Sequence, residues 1–294
     1  MIYLTNCLQH SQPRMYADDT SITFTGSDAD EMNNCINLDL ERIRVWLAAN
    51  KLTLNMTKTE FLLIGSKQRL LNFTARPTAW INQFPIKQVS TVKSLGVHID
   101  ENLTWECHVN ELSKRIASGI SAIKRIRHTV SYKTLLAIYN SLVQPHLDYC
   151  SSVWGSCSMS LSQKLQKLQN RAARVITFSN YDRSTDELVR MVNWVKLDRQ
   201  CLVDKSILVF KILNRKVPDY LSSHFAFRSD TLTCNLRESD FSLTIPQPRT
   251  NYCKRSLSYS GAVLWNGWPL DIRQSLSLDV FKCKLKSDFD GRFK

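Results

Sequence analysis

The chain contains no Cys-x-x-Cys pair, and its nine cysteines, at 7, 35, 107, 150, 157, 201, 234, 253 and 283, are odd in number and scattered. That excludes a common zinc module and a disulfide framework, and it fits a reducing compartment. His146 with Cys150 and Cys157 matches no usual metal-ligand spacing. No run approaches the ~18 apolar residues that a bilayer-spanning helix needs. The opening "MIYLTNCLQHSQPR" lacks a basic lead followed by a sustained apolar core. The expectation is therefore a cytoplasmic or nuclear chain, not secreted and without a membrane partner. Low-complexity tracts and internal repeats are also missing. Negative charge is scarce in one place: residues 111–176 hold only Glu111 and Asp148 against ten Lys and Arg.

What is present is a globular composition. A chain of 294 residues, 43% of them apolar, has room for one large domain or two or three modest ones. The formal charge is +13, from 39 Lys and Arg against 26 Asp and Glu. Such an excess favours a polyanion, either nucleic acid or an acidic membrane surface; the plainer alternative is a merely soluble basic protein. Residues 1–110 carry ten basic and eleven acidic side chains, so the excess begins in the segment that follows them.

Near the start stands "PRMYADDTSITF", Pro13 to Phe24. Ile22 and Phe24 share one face of an alternating run that Gly26 and Ser27 stop, which predicts a strand and a turn. Ser27 is the expected cap of a helix with an apolar face of Cys35, Ile36, Leu38, Leu40, Ile43, Trp46 and Leu47, ending near Asn50. "LTLNMTKTEFLLIGS" predicts a turn and then a buried strand over Glu60 to Ile64. Residues 67–92 read as loop, and "VKSLGVHID", Val92 to Asp100, as an alternating strand. From Trp105 the pattern is helical. Leu112, Ile116, Ile120 and Ile123 form an apolar stripe, with Lys114, Arg115, Lys124, Arg125 and Arg127 off it. Helices are also expected over Tyr132 to Val143, 186–213 and from Leu278. In "LSQKLQKLQNRAARVI", Leu161, Leu165, Leu168, Ala172 and Val175 face one way, while Lys164, Lys167, Arg171 and Arg174 repeat about 100° around. Trp154, Trp194, Trp265 and Trp268 sit in apolar sequence and read as core anchors rather than base-stacking platforms.

Adjacent residues on a regular strand point to opposite faces, so Asp18 and Asp19 can act together only where the strand turns, at the tip of a tight hairpin. Two close carboxylates repel each other; a divalent cation relieves this, and hard oxygen donors suit Mg²⁺. Phosphoryl transfer is the chemistry such a site serves. An ordinary solvated β-turn gives the same two letters.

The ordered blocks carry more information than the pair. "YADD" before a helix, then "NKLTLNMTKTEFLLIGS", then "VKSLGVHIDENLTW", resembles the last three palm motifs of reverse transcriptases from non-LTR retrotransposons, the jockey-like branch in particular. "YNSLVQPHLDYCSSVWGS", "LQKLQNRAARVIT", "FKILNRKVPDYL" and "RTNYCKRSLSYSGAVLWNGWPLDIRQSLSLDVFKCKLKSDF" look like the thumb and C-terminal region of the same reading frames. The resemblance implies an α+β fold: the C-terminal part of a palm, an antiparallel sheet with a helix, over 1–104, a helical thumb-like region over 105–157, and a basic, helical C-terminal region over 158–294. It implies that Asp18 ligates Mg²⁺ (Mn²⁺ as substitute), that Asp19 assists, and that Tyr16 lies under the primer end. Lys58 matches a lysine that protonates departing pyrophosphate, or it is a solvated lysine leading into a strand. Leu95 and Gly96 match a primer-grip strand, or the glycine serves a β-turn.

The implied partners are an RNA template, a DNA primer and a deoxynucleotide. Lys114, Arg115, Lys124, Arg125, Arg127, Lys164, Lys167, Arg171 and Arg174 are candidates for phosphate contacts. The family's palm also uses an earlier strand with another metal-binding aspartate, a helix opening Gln-Gly, and basic fingers. None of these stands in this sequence, and "MIYLTNC" looks like the tail of the segment after that helix. The expectation is an RNA-directed DNA polymerase fragment, a nucleotidyltransferase by descent but inactive alone. The alternatives are a non-enzymatic basic nucleic-acid-binding protein and a relic without a stable fold.

Overall fold

The computed structural model describes residue 4 and residues 7–73, 76–231 and 239–292. Most of "MIYLTNC" lies outside the described residues. The chain divides into two compact units, Met1–Cys107 and His108–Lys294.

In the first unit, strands β1 (Gln12–Tyr16) and β2 (Asp19–Thr23) pair antiparallel and lead into helix α1 (Ala29–Ala49). Asp28, not Ser27, caps α1, its carboxylate accepting from the N–H groups of Asp30 and Glu31. The carboxylate satisfies two of the donors that every helix start leaves open, and its charge suits the positive end of the helix dipole. The chain continues through β3 (Glu60–Leu62), α2 (Lys67–Leu71), β4 (Trp80–Ile81), β5 (Phe84–Pro85), β6 (Lys87–Val89), β7 (Thr91–Ser94) and β8 (Val97–Asp100). These strands form separate two-stranded ladders; β3 with β6 is parallel, the others antiparallel. The run expected as one strand from Val92 is thus a hairpin. It breaks at Leu95 and Gly96, whose φ values of 45° and 83° make the mirror-image turn that matches strand twist. The core gathers Leu40 and Ile43 of α1 with Leu4, Ala79, Ile81 and Ile86.

The second unit is helical. It holds α3 (Glu106–Ile126), α4 (Tyr132–Leu142), α5 (Gln144–Asp148), α6 (Ser151–Trp154), α7 (Met159–Thr177), α8 (Thr185–Met191), α9 (Leu197–Leu213), α10 (Asp219–Ser222), α11 (Arg228–Thr231), α12 (Asn251–Arg255), α13 (Leu257–Asn266), α14 (Leu270–Arg273) and α15 (Leu278–Arg292). The expected stripe of α3 is buried throughout: Leu112, Ile116, Ile120 and Ile123. The expected helix over 186–213 is interrupted between α8 and α9, where Asn193 takes a left-handed φ of 53°. Asparagine tolerates that conformation better than most residues. A second core joins Val209 and Phe210 of α9 to Ala262, Trp265 and Trp268, to Ile272, and to Phe281 and Leu285 of α15. Phe281 stacks on Phe210 and Trp265, with centroids 4.5 and 5.8 Å away. Trp154 is also buried, and Trp194 stacks on Tyr139 at 3.9 Å, so all four tryptophans are packing residues as expected.

Candidate functional site

In the β1–β2 hairpin Tyr16 pairs with Asp19, leaving Ala17 and Asp18 as a two-residue loop. Both carboxylates are therefore at the tip, Asp18 in the turn and Asp19 opening β2. Ala17 takes a φ of 52°, a conformation that favours glycine and costs a residue with a Cβ about 1 kcal/mol. Tyr16, the last residue of β1, exposes 68% of its surface.

The other acids around this hairpin show what is distinctive about the pair. Asp28 caps α1. Asp100 accepts from the N–H groups of Asn102, Thr104 and Trp105, shaping the loop after β8. Glu41 pairs with Arg44, and Glu60 with Lys87. Among the described residues, Asp18 and Asp19 make neither a side-chain hydrogen bond nor an ion pair, and both are exposed. Their carboxylates have no structural task and are open to a ligand.

Asp39 carries the largest structural task in this unit, and the sequence pattern did not single it out. It lies on the inward face of α1 with Ile36, Leu40 and Ile43, and its side chain is fully buried. Its oxygens accept from the backbone N–H groups of Gln9 (3.0 Å), His10 (2.9 Å) and Ser11 (2.7 Å), and from Arg42 Nη1 (2.8 Å). Arg42 also donates to Gln9 Oε1 at 2.6 Å. Burial works to raise the Asp39 carboxyl, but hydrogen bonds from Gln9, Ser11, His10 and Arg42 outweigh it and hold the group down at about 2. The carboxylate therefore ties the segment just before β1 to α1 and sets where the hairpin leaves the core. The sequence offered only an acid beside an apolar stripe, with no sign of its backbone partners.

The remaining sequence candidates are spread out. Lys58 is exposed, in a turn where its N–H donates to Asn55 O, and it makes no ion pair among the described residues. Leu95 and Gly96 form the β7–β8 turn; its left-handed φ accounts for the glycine without a ligand. In the second unit, Lys114 is exposed and bonds Glu111 at 2.6 Å. Lys164 donates to Asn110 of α3 at 2.7 Å, which ties α7 to α3. Arg115, Lys124, Arg125, Lys167 and Arg171 are exposed on the same two helices; Arg127, just past α3, and Arg174 of α7 are half-buried. The buried face of α7 includes Gln169, whose amide donates to Val195 O, a polar exception within the expected stripe. Cys201 is buried, and burial, helped by Asp204 and Cys157, pushes its thiol up to about 12.

In donor chemistry the tip suits Mg²⁺, since carboxylate oxygens are the ligands that ion takes. In number it falls short. Among the described residues no group of three or more His, Cys, Asp or Glu comes together. These residues do not complete a metal centre by themselves.

No protein-family model matches the chain, and no solved structure gives a significant match. Curated proteins do. A probable RNA-directed DNA polymerase from transposon X-element of Drosophila melanogaster is 26% identical over 165 residues, 55% of this chain and 18% of that protein. The retrovirus-related Pol polyprotein from type-1 retrotransposable element R1 2 of Nasonia vitripennis is 25% identical over 209 residues, 67% of this chain and 49% of that protein. The RNA-directed DNA polymerase from mobile element jockey of Drosophila funebris is 23% identical over 165 residues, 55% of this chain and 18% of that protein. The match thus spans between 18% and 49% of the length of these relatives. Homologues of this chain, across 55–67% of its length at 21–26% identity, are the RNA-directed DNA polymerases of non-LTR retrotransposons.

Proposed function

We propose that this chain is a segment of a non-LTR retrotransposon reverse transcriptase, acting in the cytoplasm or nucleus. In this reading 1–104 is the later part of the palm, 105–157 a thumb-like region and 158–294 a basic C-terminal region. The observation that carries it is the hairpin tip: two adjacent carboxylates with no structural bond, Asp18 in the turn and Asp19 opening β2. The proposed roles are metal ligation by Asp18 with Asp19 assisting, support of the primer end by Tyr16 and by the Leu95–Gly96 turn, and proton donation to pyrophosphate by Lys58. The basic side chains of α3 and α7 would hold the template and primer through their phosphates, with affinity that falls as salt rises.

Two-metal nucleotidyl transfer needs more oxygen donors than Asp18 and Asp19 supply. The described residues alone are therefore not expected to extend a primer. Incubating the purified chain with an RNA template, a DNA primer, deoxynucleotides and Mg²⁺ should give no extension. Extension that disappears on Asp18→Ala would overturn the insufficiency and uphold the polymerase assignment. A complementary graft of residues 12–24 into the X-element polymerase should preserve extension, and a dead graft would count against the assignment itself. A non-enzymatic nucleic-acid-binding protein is a second reading, favoured by Lys124, Arg125 and Arg171, which are exposed and pair with no carboxylate among the described residues. For that reading, duplex affinity is unchanged by Asp18→Ala and the graft is inactive.

A further inference from the structure

Two basic segments about fifty residues apart meet around exposed aromatic rings in the second unit. α7 stops at Phe178, which takes a left-handed φ of 55°. Glycine is the usual residue there, so a bulky ring sits where the backbone does not favour one. Arg127, just past the end of α3, places its guanidinium carbon 5.0 Å from the Phe178 ring centroid. His128 meets the same ring edge-on at 5.3 Å. Three residues beyond Phe178, the Tyr181 ring carries the Arg174 guanidinium at 5.6 Å. Phe178 is 50% exposed and Tyr181 84%. These rings are not core.

The charge around them is available. Lys124, Arg125, Arg127, Arg171 and Arg174 form no ion pair among the described residues. Of the acids that follow Tyr181, Glu187 lies 3.8 Å from Arg183 and Asp186 bonds Lys196 at 2.7 Å, which leaves Asp182 as the local counter-charge. Each exposed ring is thus backed by a guanidinium, and the Lys and Arg side chains of the neighbouring turns outnumber the local acid, Asp182.

We propose that this patch binds unpaired nucleotides of a single-stranded nucleic acid, with bases stacking on Phe178 and Tyr181 and phosphates meeting the surrounding Arg and Lys side chains. The chemistry distinguishes it from duplex binding. A free base has an open π-face for a ring to cover, whereas the bases of a duplex already stack on one another, leaving only phosphate contacts to gain. The inference deepens the nucleic-acid reading above and rests on it for the class of partner. Stacking on aromatic rings tolerates any base, so affinity without strong sequence preference is expected.

The test measures binding of the full chain, by fluorescence anisotropy, to a labelled oligouridylate, an abasic strand of equal length and an RNA–DNA hybrid. The Phe178→Ala/Tyr181→Ala double variant should lose about tenfold to hundredfold affinity for the oligouridylate. It should bind the abasic strand and the hybrid as the wild type does. Tyr181→Phe should retain single-strand affinity. Tyr181→Ala alone, at a ring 84% exposed that meets the Arg174 guanidinium, carries the same test with far less demand on the fold. Unchanged oligouridylate binding, or an equal loss on all three ligands, overturns the platform. Hybrid binding without any single-strand binding overturns it too while leaving the nucleic-acid reading intact; binding to none of them overturns both.

Discussion

The two units hold their candidate functional groups in different ways. In the first, Asp18 and Asp19 sit at the tip of a hairpin, and the residues just before that hairpin are tied to α1 by one buried carboxylate, Asp39. In the second, basic side chains project from long helices whose opposite faces are closed into the core, as with Ile116, Ile120 and Ile123 of α3. A loop held by hydrogen bonds fixes the direction of a few atoms. A helix held by an apolar stripe fixes a row of side chains and leaves each one mobile at its end. The first arrangement suits a metal, which needs defined geometry; the second suits a phosphate backbone, which needs charge over a length.

The largest way to break this contrast is to empty the helical core. Phe281 is fully buried between Phe210 and Trp265, so Phe281→Ala should cost about 3–5 kcal/mol in denaturant unfolding. Amide exchange should rise across α9, α13 and α15. A loss below about 1 kcal/mol would show that this aromatic stack is not what holds those helices.

Asp39→Ala tests the other kind of support. It strips the acceptor from three backbone N–H groups and should cost about 2–4 kcal/mol. The wild-type carboxyl is held at about 2, against 3.8 for the free group. A lowered folded-state value stabilises fully above the ordinary one, so its contribution of about 2 kcal/mol is present above pH 4 and lost as pH falls toward 2. Stability measured across that window should slope in the wild type and lose this component in Asp39→Asn. Equal slopes would remove Asp39 from the account.

The smallest effects separate turn geometry from ligand binding. Gly96→Ala should cost about 1–2 kcal/mol because φ is 83° there. Asp18→Ala, which removes no bond within the fold, should stay within about 0.5 kcal/mol of wild type in the same unfolding experiment. If Asp18→Ala proved the costlier, the carboxylate would have a structural role after all.

Much of this was legible in the residues. α7 and the inward stripe of α3 follow from periodicity, because one face of each is buried and the spacing says which. α1 follows in part, since Leu38 of its expected apolar face is exposed, and the hairpin follows from its turn residues rather than from a buried face. The break at Leu95–Gly96 was legible only as one of two readings, the β-turn at Gly96, because alternation continues on both sides of a two-residue turn and only the glycine marked it. The division between α8 and α9 was missed because the apolar pattern runs through it. Asp39 was missed because a charged residue on an apolar stripe reads as noise until its partners are known, and those partners are backbone groups that no sequence pattern displays. The meeting of Arg127 with Phe178 depends on tertiary packing of α3 against α7, which spacing within either helix cannot encode.

The Asp39 grip has a consequence for which sequences this segment can accept. It recognises main-chain N–H groups at positions 9 to 11, not the side chains that carry them. His10, which is exposed, can change to almost any residue without moving the hairpin, and Ser11 to any small one. Proline alone is forbidden at these positions, since it has no N–H to give. The anchor of the segment before β1 is thus written in a single letter on α1, and the side chains at the positions it holds can drift while the backbone bonds stay.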